Sequence, residues 1–337
     1  MWPDRPEAKG VSVTSILHPE RYHGQRRRPP FFEGWYYKLV DATERTRMAV
    51  IPGIFLSDDP DRHHAFVQVL DGSTGQATYH RYPAEAFDAA TETFEVRVGS
   101  NVFTDASMHL DIDDDQRRLV AEVALGPLAP WPVRPWSPGI MGPYAWIPRM
   151  ECNHGVVSLD HTLDGFLEID GQRVELAGGR GYLEKDWGAA FPAGYVWMQS
   201  NHFATPGTSL VGAIAIIPWI RAAFPGFLVG LWHDGELHRF TTYTGARTTA
   251  LHFDDDRIDW TVADRHRELE LHAHRATGGL LLGPTREHME SRVGETMLAE
   301  VDLRYTDRRR GIVLEGRGRN AGLEVHGDLD RLLALQT

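Results

Sequence analysis

Phe166-Leu167-Glu168-Ile169-Asp170-Gly171-Gln172-Arg173-Val174-Glu175-Leu176 reads as a complete β-hairpin. Two short runs flank Asp-Gly, and a tight primed turn needs positive φ at both central residues, which Asp and Gly tolerate. The same pattern returns at 228–232, Asp234-Gly235 and 237–240. Around these hairpins, short runs rich in Val, Ile, Tyr, Phe and Trp alternate with Gly, Asp, Asn and Pro. They predict strands at 35–41, 48–56, 65–70, 94–98, 119–125, 156–161, 195–203 and 210–216, then 257–262, 268–274, 297–305, 312–317 and 323–328. Helical signals are confined to 218–223 and 329–335. The chain is therefore expected to be all-β, built of antiparallel barrels or sandwiches with few short helices.

A length of 337 residues fits two packed domains. Hydrophobic content of 42% and charged content of 24% belong to a globular protein. A formal net charge of -12 argues against nucleic acid as a partner, because phosphate contacts need a basic face. The one basic cluster, Gln25-Arg26-Arg27-Arg28, reads as a solvated arm, with a transient contact to anionic lipid headgroups as the alternative. The start of the chain carries no secretory pattern and no apolar run is long enough for a membrane helix, so a cytoplasmic location is the expectation, with peripheral membrane contact as the alternative.

The single cysteine, Cys152, excludes an internal disulfide and a multi-cysteine metal site. His63-His64 and the same-face pair His272 and His274 lack a third ligand at a telling spacing, so no metal is expected. Cys152 and His154 would share a strand face, which is weak evidence for a nucleophile. Gly178-Gly179-Arg180-Gly181 lacks the spacing of a nucleotide loop, and no cofactor is expected.

Segment 126–150 holds seven prolines and three tryptophans. Proline cannot donate to a sheet ladder, so this is an ordered connector, suited to lie over an apolar pocket as a lid. It suggests an arm at 1–30, a first β domain at 31–165 and a second at 166–337.

Two segments concentrate aromatic, acidic and glycine residues: Phe31-Phe32-Glu33-Gly34-Trp35-Tyr36-Tyr37-Lys38, and the run from Gly181 through Glu184-Lys185-Asp186-Trp187 to Phe191-Pro192. The strand that follows places Tyr195, Trp197, Gln199, Asn201 and Phe203 on one face by its period of two. Rings mixed with amides suit a pocket wall that grips an apolar ligand and fixes its polar head. An outer face with ordinary hydrogen-bonded amides is the alternative.

FFEGWYYKLV resembles the FFEGWY motif of the tocopherol cyclase family, and YLEKDWGAAFPAGYVWMQSNHF resembles that family's Glu-Lys-Asn-Trp-Gly segment and the strand after it. Looser likeness extends over 151–171, LLGPTREHM and GLEVHG. The resemblance implies a pair of lipocalin-like (calycin-type) barrels and a ring closure on a prenylated hydroquinone. Asp186 stands where plant members have Asn, and Ser200 where they have Cys.

Ring closure of this kind needs no redox step. A proton goes to the alkene of the prenyl tail, and the phenol oxygen captures the resulting tertiary cation. The enzyme must supply an acid, a dry cavity, a home for positive charge and an acceptor for the phenolic proton. Glu184 is the leading acid, with Asp186 and Glu33 as rivals. In an extended segment Glu184 and Asp186 share a face, and burial beside a second carboxylate keeps a carboxyl protonated. Lys185 would then point away or pair with Glu33. Trp35, Tyr36, Trp187 and Trp197 are candidates for lining the pocket, since a desolvated ring attracts a cation by ~1–2 kcal/mol. Gln199 and Asn201 would hold the quinol hydroxyls, and Glu151 or His154 would accept the phenolic proton.

Three readings stay open. Glu184, Lys185 and Asp186 could be a buried ion network that only fixes geometry. The barrels could carry a hydrophobic molecule without changing it. Water, rather than a phenol, could trap the cation, making an isoprenoid hydratase. Substrate identity and oligomeric state are not legible.

Overall fold

The computed structural model describes residues 13–25, 27–148, 150–220 and 222–336. Most of the expected arm's first half and Arg26 of its basic cluster lie outside these. As the sequence predicts, the described chain is nearly all strand, in two antiparallel sheets. Both Asp-Gly hairpins form, pairing Phe166 with Glu175 and Leu228 with Thr241 at their open ends. Their turn residues take positive φ: 50° and 82° at Asp170 and Gly171, 49° and 75° at Asp234 and Gly235.

The first sheet runs, in spatial order, Gln76–Pro83, His64–Asp71, Arg47–Leu56, Phe31–Val40, Arg180–Gly188, Cys152–Ile169, Arg118–Leu125 and Ser107–Asp113, then three short strands back to Phe87–Ala89. It curls until Glu95–Val98 lies against Arg47–Leu56 and His64–Asp71. The second sheet runs Glu236–Thr241, Ala222–His233, Ser209–Trp219, Gly194–Ser200, Ile312–Gly327, Met289–Asp307, Arg267–His274, Arg257–Ala263 and Arg247–Phe253. These are the two lipocalin-like barrels the resemblance implies.

The division between them is not where the prolines suggest. The expected border at 165 falls inside Cys152–Ile169, and the 166–176 hairpin stays in the first sheet. The chain changes sheet between Gly188 and Gly194. The two aromatic-acidic segments are consequently neighbours: Phe31–Val40 pairs with Arg180–Gly188, Tyr36 opposite Glu184 and Gly34 opposite Asp186. Of the expected helices, Leu329–Ala334 forms, capped by the Asp328 side chain. Segment 218–223 instead carries a hairpin to its end, with Trp219 paired to Ala222 and Ile220 at φ 50°.

Each barrel fills its own interior. Trp35, Tyr37, Leu39 and Phe103 belong to one core, and Val196, Met198, Trp260 and Tyr305 to the other. A third apolar cluster, including Tyr36, Tyr182, Trp197 and Val293, joins the facing outer surfaces of the two sheets. Phe31–Val40 is thus buried on both faces, which is why it reads as a continuous apolar run rather than an alternation. Segment 126–150 crosses onto the second barrel. Buried Trp131 lies directly over Gly230, where any side chain would collide with the indole, and Tyr243 donates to the Ile140 carbonyl at 2.8 Å. No helix among the described residues is long and apolar enough to cross a membrane.

Candidate functional site

Between the facing sheets lies a cleft of about 1340 Å³, its open mouth included. Phe66, Ile51, Ala213, Ala215, Leu281 and Val293 supply apolar wall, drawn from both sheets. Met141, Tyr144 and Met150 from segment 126–150 form part of the rim, in the position expected of a lid.

Strand periodicity decides which polar groups reach this cleft. Phe32, Gly34 and Tyr36 face it from one strand, Glu184 and Asp186 from the next, and Cys152 and His154 from the third. Across the gap stand Tyr195 and Trp197, with Glu324 paired to Trp197 in register. The two sheets touch chemically here. Trp197 Nε1 donates to Glu184 Oε2 at 3.2 Å, and the Tyr36 and Trp197 rings meet edge to face at 5.5 Å.

Glu184, His154 and Asp186 form a line. The imidazole Nε2 stands 3.3 Å from Glu184 Oε2, and Nδ1 lies 3.0 Å from Asp186 Oδ1. Tyr182 also donates its hydroxyl to Glu184. Burial opposes the charge of His154, but the two carboxylates outweigh it and raise the imidazole to about 9. Burial lifts Glu184 to about 7 against the pull of His154, with Asp186 adding to the lift. The ligand atoms of these three residues lie within 4.8 Å of one another, close enough to surround a metal ion. However, each imidazole nitrogen addresses a different carboxylate, Nδ1 by a hydrogen bond to Asp186 and Nε2 by charge toward Glu184, rather than three ligands converging on one point.

A second acidic pair completes the site. Glu324 accepts from the Tyr195 hydroxyl at 2.7 Å, and Glu295 lies opposite it on the paired strand, accepting from Tyr36. Burial lifts Glu324 to about 7, with Glu184 and Asp186 reinforcing it. Burial and the Glu324 carboxylate push Glu295 well above the ordinary carboxyl range. Cys152 is held far above the usual thiol range, first by burial and then by Asp186. It is a neutral thiol, not a nucleophile.

The structure brings together Glu184, Asp186, His154, Tyr36 and Trp197 of the residues expected at the site. It places the others elsewhere. Glu33, Trp35, Lys185 and Trp187 occupy the opposite face of the same two strands. There Glu33 pairs with Lys185 and accepts from the His23 backbone at 2.9 and 3.0 Å. His23 stacks on Trp187 at 4.2 Å, and Trp35 Nε1 donates to the Glu20 carbonyl at 2.9 Å. This cluster fastens the chain around residues 15–23 to the first barrel. Gln199 accepts from Lys38 at 2.7 Å, and Asn201 donates to Asp160 at 3.0 Å and to the Gly181 carbonyl at 2.8 Å. Both amides fasten one sheet to the other beyond the end of the cleft. Glu151 lines a neighbouring groove near Arg286, 3.7 Å away. Tyr195 lines the cleft on the face that the period of two assigned to the pocket wall, whereas Glu324, Glu295 and Tyr182 are participants that strand spacing alone did not select. The signal for Glu324 was its place in GLEVHG.

Two barrels pressed face to face make a double-barrel fold that this chain shares with other proteins. Crystal structures of kievitone hydratase from Nectria haematococca (TM-score 0.51, 12% identity, 98% of this chain and 100% of that one) and of CghA (TM-score 0.57, 10% identity, 89% of each) have it. Within that fold the chain belongs to the tocopherol cyclase-like family, whose model matches residues 93–327. It is 25% identical over 186 residues to a probable chloroplastic tocopherol cyclase of Oryza sativa subsp. japonica, covering 48% of this chain and 37% of the rice protein. The chain therefore spans little more than a third of the length of that curated relative. The FFEGWYY segment lies outside the family match, yet it pairs directly with a strand inside it.

Proposed function

We propose that this protein closes a ring on a prenylated quinol or related isoprenoid by protonating an alkene, and that Glu324 is the acid. The observation that carries this reading is a carboxyl pair and a charged triad facing each other across an otherwise apolar cleft. Family membership supports it.

Glu184 and Glu324 both stand at about 7, raised by burial and drawn down by their partners, and those partners differ in kind. Glu184 accepts from Tyr182 and Trp197 and lies beside the positive charge of the His154 imidazolium. These favour its carboxylate. Glu324 accepts from Tyr195, and burial with the Glu184 and Asp186 charges favours its neutral form against the pull of Tyr195 and Glu295. In the first step the O–H bond of Glu324 breaks, and its proton joins the less substituted alkene carbon. The tertiary cation faces the Glu184 carboxylate and the rings of Tyr36 and Trp197. The phenol oxygen then bonds to the cationic carbon, and its proton passes to Asp186 at the more exposed end of the triad. The product has the mass of the substrate.

Incubation with a prenylated benzoquinol tests this reading. A product of unchanged mass and altered retention supports it. A product heavier by one water assigns the chemistry to a hydratase, and binding without conversion assigns the cleft to a carrier.

A further inference from the structure

Glu295 is buried and does not line the ligand cleft, yet it touches what does. It accepts from Tyr36 and lies across the strand pair from Glu324, both of which line the cleft. Its other side borders a separate groove, of about 450 Å³ with its open mouth, between residues 275–279 and 294–296. Glu295 Oε2 is buried with no hydrogen-bond partner among the described residues. A carboxyl with one free oxygen, set between an outer groove and an inner acid, is placed to pass a proton from one to the other.

We propose that Glu295 is a positioning residue that reloads Glu324 with protons from the outer groove, so that protons enter behind the cleft and leave at its mouth. The proposal rests on the alkene-protonating reading of the cleft. After Glu324 has given its proton to the substrate it is a carboxylate. The O–H bond of neutral Glu295 breaks, its proton joins the Glu324 carboxylate, and Glu295 takes a proton from water in the outer groove. The phenolic proton released to Asp186 returns to solvent at the opposite end, so each turnover is proton-neutral.

The groups facing Glu295 are compatible with this traffic. Tyr36, on the first sheet, is held neutral by burial and by Glu295 itself, and so acts as a donor. Lys38 opposes the upward push on Glu295 from the same strand, and Glu324 reinforces it from the neighbouring one. Burial brings Lys38 down to about 7, so it is a weak counter-charge near neutrality. Arg275 stands at the rim of the outer groove.

Two variants test the relay. Glu295→Gln keeps an acceptor for the Tyr36 hydroxyl but cannot carry a proton. Gly294 borders the groove with open space beside it, so Gly294→Leu can narrow the groove while leaving both carboxyls in the chain. In both variants, multiple-turnover rate should fall about tenfold while the first turnover stays near wild type, a loss at the low end for a positioned proton donor. In Glu295→Gln the alkaline fall in activity should also move to higher pH, because the Glu295 carboxyl favours the Glu324 carboxylate and its loss leaves Glu324 a weaker acid. Unchanged multiple-turnover rates and pH profile, with wild-type turnover intact, overturn the relay and leave the cyclase standing. Infrared titration of the ligand-free protein is independent of any substrate. A protonated carboxyl band that survives above neutral pH and is lost in Glu295→Gln supports the pair, and a band unaltered by that change overturns it.

Discussion

Trp197, on the second barrel, donates its indole N–H to Glu184, on the first, over 3.2 Å. That bond spans the seam between two separately packed cores and forms part of the floor of the cleft. Trp197 therefore serves both cohesion and charge. Trp197→Phe keeps a ring beside Tyr36 but removes one donor from a buried carboxylate. We expect a loss of about 1–3 kcal/mol, seen as a lower thermal midpoint, and a small rise in the Glu184 pKa. An unaltered midpoint would mean that the bond adds nothing to the seam.

Glu324→Gln removes the proposed acid and keeps its shape. Conversion of a prenylated quinol should fall by about 10²–10⁴, while affinity for an unreactive saturated analogue is retained by calorimetry. Glu184→Gln should instead weaken cation stabilisation and also disturb His154. If Glu184→Gln abolishes turnover and Glu324→Gln does not, the assignment of the acid is reversed.

Activity should depend on pH through Glu324. Its folded value of about 7 lies above the ordinary carboxyl range, so the protonated, active form prevails below neutrality. Rate should decline as pH rises through about 7. The same sign applies to stability: a carboxyl held protonated by burial contributes fully at low pH and loses that contribution as pH rises through its folded value. His154 acts likewise, its contribution lasting until pH passes about 9. A flat rate profile between pH 6 and 8 would exclude Glu324 as the donor.

Glu33 and Lys185 belong to the most conspicuous motifs, yet they should matter to stability rather than chemistry. Lys185→Met strands a buried carboxylate and should cost about 3–5 kcal/mol. The double variant Glu33→Leu/Lys185→Met should recover much of this, with turnover per folded molecule close to wild type. Thermal unfolding of the single and double variants, with activity normalised to folded protein, decides the matter.

Ala213 faces the cleft with little bulk. Ala213→Phe should fill part of the hollow and abolish analogue binding, leaving the carboxyl band in the infrared spectrum intact. Undiminished binding would place the ligand elsewhere.

The strands and hairpins were legible because Asp-Gly turns and β-branched runs are local signals, and the period of two correctly put Glu184 with Asp186. The same rule could not say which face meets the ligand. Trp35 and Tyr36 are both buried, one in a barrel core and the other in the seam, and nothing in their spelling separates the two. Trp35 and Trp187 were misplaced for that reason, whereas Lys185 pairs with Glu33 as its alternation along the strand implies. Glu295 and Glu324 reach the site through pairing between distant strands and the meeting of two sheets, a relationship no single window of sequence contains. The border at 165 failed because the proline-rich connector interrupts the first barrel and does not end it.

Because the hollow lies in the seam, neither barrel has to be empty for the protein to hold a guest. Folding and chemistry are assigned to different surfaces of the same strands: inward residues build the two interiors, and outward ones can be exchanged to suit another molecule. A guest in that position would also act as mortar, touching both halves at once and drawing them together when it arrives.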